Sequence, residues 1–148
     1  MNTIEALEKT GYKIQTDGQE IKLSYQGPGD PDPSKVGPLI EDLKRHKRQA
    51  LTILRERDTS RIFRDALHEL SAVWVPGLLE HTRRHHSDTW ELIQGAEESL
   101  ERAWGLTLGG KMTMNDFEEA VTIWRDAYRL TIEEHRRGIL AGKGRTGR

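Results

Sequence analysis

The chain has no cysteine, which excludes disulfide staples, thiolate-metal sites and cysteine nucleophiles. That absence is compatible with a reducing setting, and the expected location is cytoplasmic. No apolar run approaches the ~20 residues that a helix needs to cross a bilayer, so no membrane partner is expected. The opening Met1-Asn2-Thr3-Ile4-Glu5 has neither the basic nor the apolar region of a signal peptide. A His-Glu-x-x-His pair, zinc-finger spacing and phosphate-loop glycine spacing are also missing. No repeat at solenoid periods occurs. Excess charge of one sign is absent too: 148 residues sum to −1. Apolar residues make up 34% and charged residues 32%, a balance that suits thin helical layers better than one thick core. Disorder does not follow, because the apolar residues are periodic and include four tryptophans.

The near-neutral sum hides a division. Residues 1–58 sum to zero, residues 59–135 to −6 and residues 136–148 to +5. Nucleic acid is therefore not a favoured partner for the whole chain, and only local basic patches could serve it.

Residues 2–10 predict a short helix, with Asn2 and Glu5 as a capping box and Gly11 as its left-handed end. Two alternating stretches follow, Tyr12-Lys13-Ile14-Gln15 and Ile21-Lys22-Leu23-Ser24-Tyr25. Asp17-Gly18 between them is a hairpin signal. Pro28, Pro31 and Pro33 then forbid a ladder or a helix interior. Beyond them the period becomes helical, with Val36, Leu39, Ile40, Leu43, Ala50, Leu51 and Leu54 on one stripe. Gly37-Pro38 and the stretch Lys44 to Lys47 are expected breaks. A hairpin this small needs these helices to pack on.

From Asp58 onward long helices are predicted. Asp58 or Thr59 is the expected cap of the first, and Pro76-Gly77 ends it. A short helix runs toward His86. Ser87 or Asp88 caps the next, Gly105 and Gly109-Gly110 break it, and Asn115 with Glu118 caps the last. Trp90 and Trp104 on one helix, and Trp124 and Tyr128 on the other, are expected to share the seam of an antiparallel helical hairpin. The last stretch, with Lys143, Arg145 and Arg148, is expected to fray. The fold class is thus α+β: a small α-β-β-α-α unit over residues 1–57, a helical region over 58–137 and a flexible basic tail over 138–148.

Catalysis is weakly represented. His81, His85 and His86 form a histidine cluster in which 81 and 85 lie one helical turn apart, but Arg83 and Arg84 set positive charge beside any cation there. No metal site and no cofactor is expected. Ser71 near His68 lacks the strand-turn-helix elbow of a nucleophile. Glu97-Glu98, Glu118-Glu119 and Glu133-Glu134 lie on exposed helix faces, where no cleft raises a pKa. The chain is not expected to be an enzyme. The run Lys44-Arg45-His46-Lys47-Arg48, with Arg55 and Arg57, is either a solvated helix face or a surface for an acidic peptide or phosphate. No aromatic residue interleaves the run, which argues against single-strand stacking.

Gly11-Tyr12-Lys13-Ile14, Asp17-Gly18, Ile21-Lys22-Leu23, the Gly/Pro loop and Leu43 through Arg55 with its His46-Lys47 pair together resemble the TubC-type N-terminal docking domain. Such domains stand at the front of nonribosomal peptide and hybrid polyketide synthetase subunits. The resemblance covers residues 3–57 and implies an α-β-β-α-α fold, often dimeric, in a bacterial protein. It implies that the second strand receives an extended acidic peptide from a partner subunit. The receiving edge would comprise Glu20, Ile21, Lys22, Leu23, Ser24, Tyr25 and Gln26. The basic selectors would come from Lys13, Lys22, Lys44, Arg45, Lys47 and Arg48. Backbone hydrogen bonds would supply affinity, and side chains and charge would supply specificity. The alternative expectation is a nucleic-acid-associated accessory protein of a phage or mobile element, using the basic helix and the C-terminal tail.

Overall fold

The computed structural model describes the backbone of residues 2–146 and the side chains of residues 2–138. The chain is mostly helical with one two-stranded antiparallel sheet, a mixed α+β fold. In order it forms α1 (Asn2–Lys9), β1 (Tyr12–Thr16), β2 (Ile21–Tyr25), α2 (Pro33–Arg45), α3 (Lys47–Ser71), α4 (Leu78–His85), α5 (Ser87–Leu108) and α6 (Met114–Thr146). It packs as two compact units. One holds residues 1–61 and 104–117, the other residues 62–103 and 118–148. The expected division after residue 57 therefore differs from the observed grouping, because α3 runs past it and the α5–α6 turn belongs with the first unit. Of the tail expected from residue 138, the backbone is helical through Thr146, and no side chain beyond Gly138 is described.

In the first unit the strands pair Tyr12 with Tyr25, Ile14 with Leu23 and Thr16 with Ile21. These residues share one face, since side chains alternate along a strand. That face packs on α1, α2 and α3, around Ile4, Leu7, Ile14, Val36, Leu43, Ala50 and Leu54. The turn is four residues long. The Asp17 carboxylate accepts from the backbone N–H of Gln19 (2.9 Å) and Glu20 (2.7 Å), and Gly18 has a φ of +99° that suits glycine. The turn is seated on the start of α6: Met114 N–H donates to the Asp17 carbonyl (2.6 Å). Arg55 Nε donates to the Gly18 carbonyl (2.7 Å).

Several expected breaks move. α2 continues through Pro38; Gly37 before it has no Cβ to clash with the ring, so the helical conformation survives. The break near Lys44 to Lys47 falls at His46, which caps α2 through its N–H to the Asp42 carbonyl. Asp58 and Thr59 cap nothing, because α3 runs straight through them. Thr59 Oγ1 instead donates back to the Arg55 carbonyl (2.6 Å) and accepts from Trp104 Nε1 (3.0 Å), while Asp58 is buried and points at the hairpin. α5 passes Gly105 and ends at Leu108, after which Lys111 N–H reaches the Leu106 carbonyl and Gly110 N–H the Thr107 carbonyl, a Schellman closure. α6 is capped by Thr113, whose Oγ1 accepts from Asp116 N–H (3.2 Å), rather than by Asn115.

The second unit is all helical. α5 and α6 run antiparallel, since Thr89 donates to Glu134 (2.5 Å) and Tyr128 to Glu97 (2.5 Å). Its core includes Leu70, Leu78, Ile93, Leu100, Val121, Trp124 and Ile132. The hydroxyls of buried Thr82 and Thr131 donate to the carbonyls four residues earlier (2.8 Å each), so no hydroxyl is left unpaired there. The aromatic seam is not one set. Trp124 and Tyr128 stack with each other and with Phe63 and Trp74, whereas Trp104 packs on Phe117 in the first unit.

Candidate functional site: the open edge of the hairpin

The two edges of the sheet differ, and the ladder's parity says how. Gln26 N–H donates to the Gly11 carbonyl (2.8 Å) and Asp17 N–H to the Glu20 carbonyl (3.3 Å). With that parity Lys13–Ser24 and Gln15–Lys22 are the hydrogen-bonded pairs. Tyr12, Ile14 and Thr16 on β1, and Ile21, Leu23 and Tyr25 on β2, turn their N–H and C=O groups outward. On β1 two of these groups are occupied. Thr16 N–H donates to Asp58 Oδ2 (3.2 Å), and Arg57 Nη2 donates to the Ile14 carbonyl (2.8 Å). Arg57 is itself held by Glu8 (2.9 Å) and Asp58 by Arg57 and Arg61 (3.8 and 3.9 Å). On β2, among the described residues, nothing bonds the outward backbone groups of Ile21, Leu23 and Tyr25.

Beside that open edge runs a groove of about 250 Å³, lined by Glu20, Ile21, Leu23, Ile40, Leu43, Lys44 and Lys47. Its floor is apolar because Ile40 and Leu43 lie one helical turn apart on the inward stripe of α2. Its rim is ionic. Lys47 Nζ meets Glu20 Oε2 at 2.7 Å and Lys44 Nζ meets Glu41 Oε1 at 3.8 Å, all four side chains being largely solvated. Rim pairs of this kind are weak and exchangeable.

Of the residues expected at the site, the fold brings together Glu20, Ile21, Leu23, Lys44 and Lys47. Lys22 and Ser24 point to the opposite face, in register with Gln15 and Lys13, so neither they nor Lys13 line the groove. Tyr25 turns its ring onto Tyr12 (centroids 5.2 Å) and its hydroxyl to the Pro28 carbonyl (3.2 Å). Arg45 and Arg48 are exposed near the α2–α3 junction and have no acidic partner among the described residues. Arg55 and Arg57, counted with the basic run, are structural: one holds the turn and the other takes the Ile14 carbonyl on β1. Ile40 and Leu43 were legible only as core positions. The role of Asp58 had no local signal, since its partner lies 42 residues earlier.

The histidine cluster is larger than the sequence indicated. The His81 ring lies 4.8 Å from His85, 5.4 Å from His86 and 4.7 Å from His135 between centroids. Desolvation first, then the charges of His135, His85 and His86, lower the His81 pKa below its ordinary value. Among the described residues no group of three or more His, Asp or Glu is arranged to hold a metal ion, and no helix is long and apolar enough to cross a membrane.

Comparison of the chain with family models, with curated proteins and with solved structures finds no match.

Proposed function

We propose that this protein is a non-enzymatic interaction module that accepts an extended acidic peptide as a third strand on β2, in the manner of the TubC-type docking domains it resembles. The observation that carries the proposal is the asymmetry of the hairpin. On β1 the Thr16 N–H and the Ile14 carbonyl are taken by Asp58 and Arg57. β2 keeps its outward backbone groups beside an apolar groove rimmed by Lys44 and Lys47. An added strand would place alternate side chains in the groove and its carboxylates at the lysines. A cytoplasmic setting and a homodimer belong to the same proposal.

The test is a titration of the isotope-labelled full chain with a short peptide of alternating valine and glutamate. The expected outcome is saturable amide shifts over residues 20–26 and at Lys44 and Lys47, with slowed amide exchange at Ile21 and Leu23. A peptide with lysine in place of glutamate should bind more weakly. Shifts confined to other residues would overturn the proposal. So would binding of a nucleic-acid duplex through residues 44–57, with the steep salt dependence of phosphate contacts, in place of the peptide.

A further inference from the structure

The second unit holds a cavity that the peptide reading does not use. It measures about 450 Å³ and lies among Leu67, Leu70, Trp74, Trp124, Tyr128 and Glu97, a size within the usual range for small-molecule sites. Its walls are apolar and aromatic. The Tyr128 ring stands 5.9 Å from Trp74 and 5.0 Å from Trp124 between centroids, tilted by 42° and 58°. Trp124 is buried at 4% exposure, while Trp74 is 40% exposed and Leu67 47%, so the cavity has an aromatic interior and an apolar lip open to water.

One formal charge lines it, the Glu97 carboxylate. Its Oε1 accepts the Tyr128 hydroxyl at 2.5 Å, and no basic side chain pairs with it among the described residues. The Tyr128 hydroxyl is held in its neutral, donating form, because burial and then the Glu97 hydrogen bond raise its pKa. A neutral apolar ligand would leave this carboxylate beside it uncompensated, and an anion would be repelled. A compact cation whose surface is hydrocarbon satisfies both features, since aromatic faces and a carboxylate attract it together while its alkyl groups fill the apolar walls.

We infer that this cavity is a binding site for an organic ammonium, a quaternary or tertiary alkylammonium group seated against Trp74, Trp124 and Tyr128 with Glu97 as its counter-ion. The site lies wholly within the helical unit, so it stands or falls independently of the β2 edge.

The experiment titrates the full chain with choline and, separately, with its neutral carbon isostere, following the indole N–H signals of Trp74 and Trp124 by NMR. Choline should give saturable shifts of both indoles, and the isostere should bind about 2- to 30-fold more weakly, the range spanned by cation–π interactions. Glu97→Gln should weaken choline without changing affinity for the isostere. Trp74→Leu, at a half-exposed position and keeping an apolar side chain, should weaken choline by a similar factor. Equal affinity for choline and the isostere would overturn the inference, as would shifts at neither indole or choline binding unaffected by Trp74→Leu.

Discussion

The two strands of one hairpin have the same length and face the same core, yet their outer edges are treated in opposite ways. β1 has two of its outward groups, the Thr16 N–H and the Ile14 carbonyl, taken by side chains of α3, an acceptor from Asp58 and a donor from Arg57. β2 has none taken among the described residues, and its neighbouring groove is rimmed by lysines already engaged in weak, exposed pairs. An unpaired edge is a hazard for aggregation. Here a buried carboxylate and a half-buried guanidinium guard one edge and leave the other bare. Protection of the β1 edge is thus local, set by two adjacent residues of one helix. Each edge can therefore be altered one residue at a time.

The largest effect is expected from removing the support common to both edges. Leu54 is fully buried in the core beneath the sheet, so Leu54→Ala should lower unfolding free energy by about 2–5 kcal/mol through lost burial and a cavity. Chemical denaturation followed by circular dichroism checks it. A loss no larger than that of an exposed site would show that the hairpin does not depend on α3.

Next in size is the guard on β1. Asp58→Ala leaves the buried Thr16 N–H without its acceptor, at about 1–3 kcal/mol. Asp58→Asn keeps an acceptor oxygen and should lose less. Hydrogen exchange at Thr16 should quicken in the alanine variant, while Ile21 and Leu23 on the other edge keep their rates. Equal changes on both edges would mean that the edges are not independently closed.

The rim of β2 predicts smaller effects of opposite sign. Glu20 occupies Lys47 at 2.7 Å and so competes with an incoming carboxylate. Glu20→Gln should tighten binding of the acidic peptide, and Lys47→Glu should weaken it, each by about 0.2–1 kcal/mol as expected for exposed pairs. Calorimetry on the two variants settles the sign. Both leave β1 untouched, so its exchange rates should not move.

The smallest effect is an acid sensitivity of the turn that joins the edges. The N–H groups of Glu20 and then Gln19 hold the Asp17 carboxyl below its ordinary value of 3.8. A carboxyl depressed in the folded state stabilises it above the unfolded value, and that contribution is lost as pH falls through the folded one. The turn amides should therefore stay protected down to about pH 3.8 and lose protection below it, and Asp17→Asn should flatten that dependence. Amide exchange measured across this range reads it directly.

Much of the first unit was legible along the chain. The alternation of Tyr12, Ile14, Ile21 and Leu23, with Asp17-Gly18 between, marks a hairpin whose apolar face is the one observed. The stripe from Val36 to Leu54 supplies the core that covers it. Helix ends were less legible where a polar residue had a competing use. Asp58 and Thr59 carry the chemistry of a cap, but a carboxylate spent on Thr16 and a hydroxyl spent on Arg55 and Trp104 cannot end a helix. Gly105 failed as a break because a glycine inside a helix weakens it by only about 1 kcal/mol, and the residues on either side of it, Ala103 and Thr107, are buried.

The candidate site divides along the same line. Residue order alone determined that a short hairpin exists, which of its faces is apolar and that lysines gather where α2 meets α3, because these are properties of neighbours and of helical or strand period. Only the tertiary structure decided which edge stays open, that Lys44 and Lys47 but not Lys13 or Lys22 flank it, and that Trp74, Trp124, Tyr128 and Glu97 surround one cavity. The physical reason is range. Period and turn chemistry act over a few residues. The closure of β1 rests on a hydrogen bond between positions 42 residues apart, and Tyr128 finds Glu97 across 31. Such partners are chosen by packing, and no local pattern announces them.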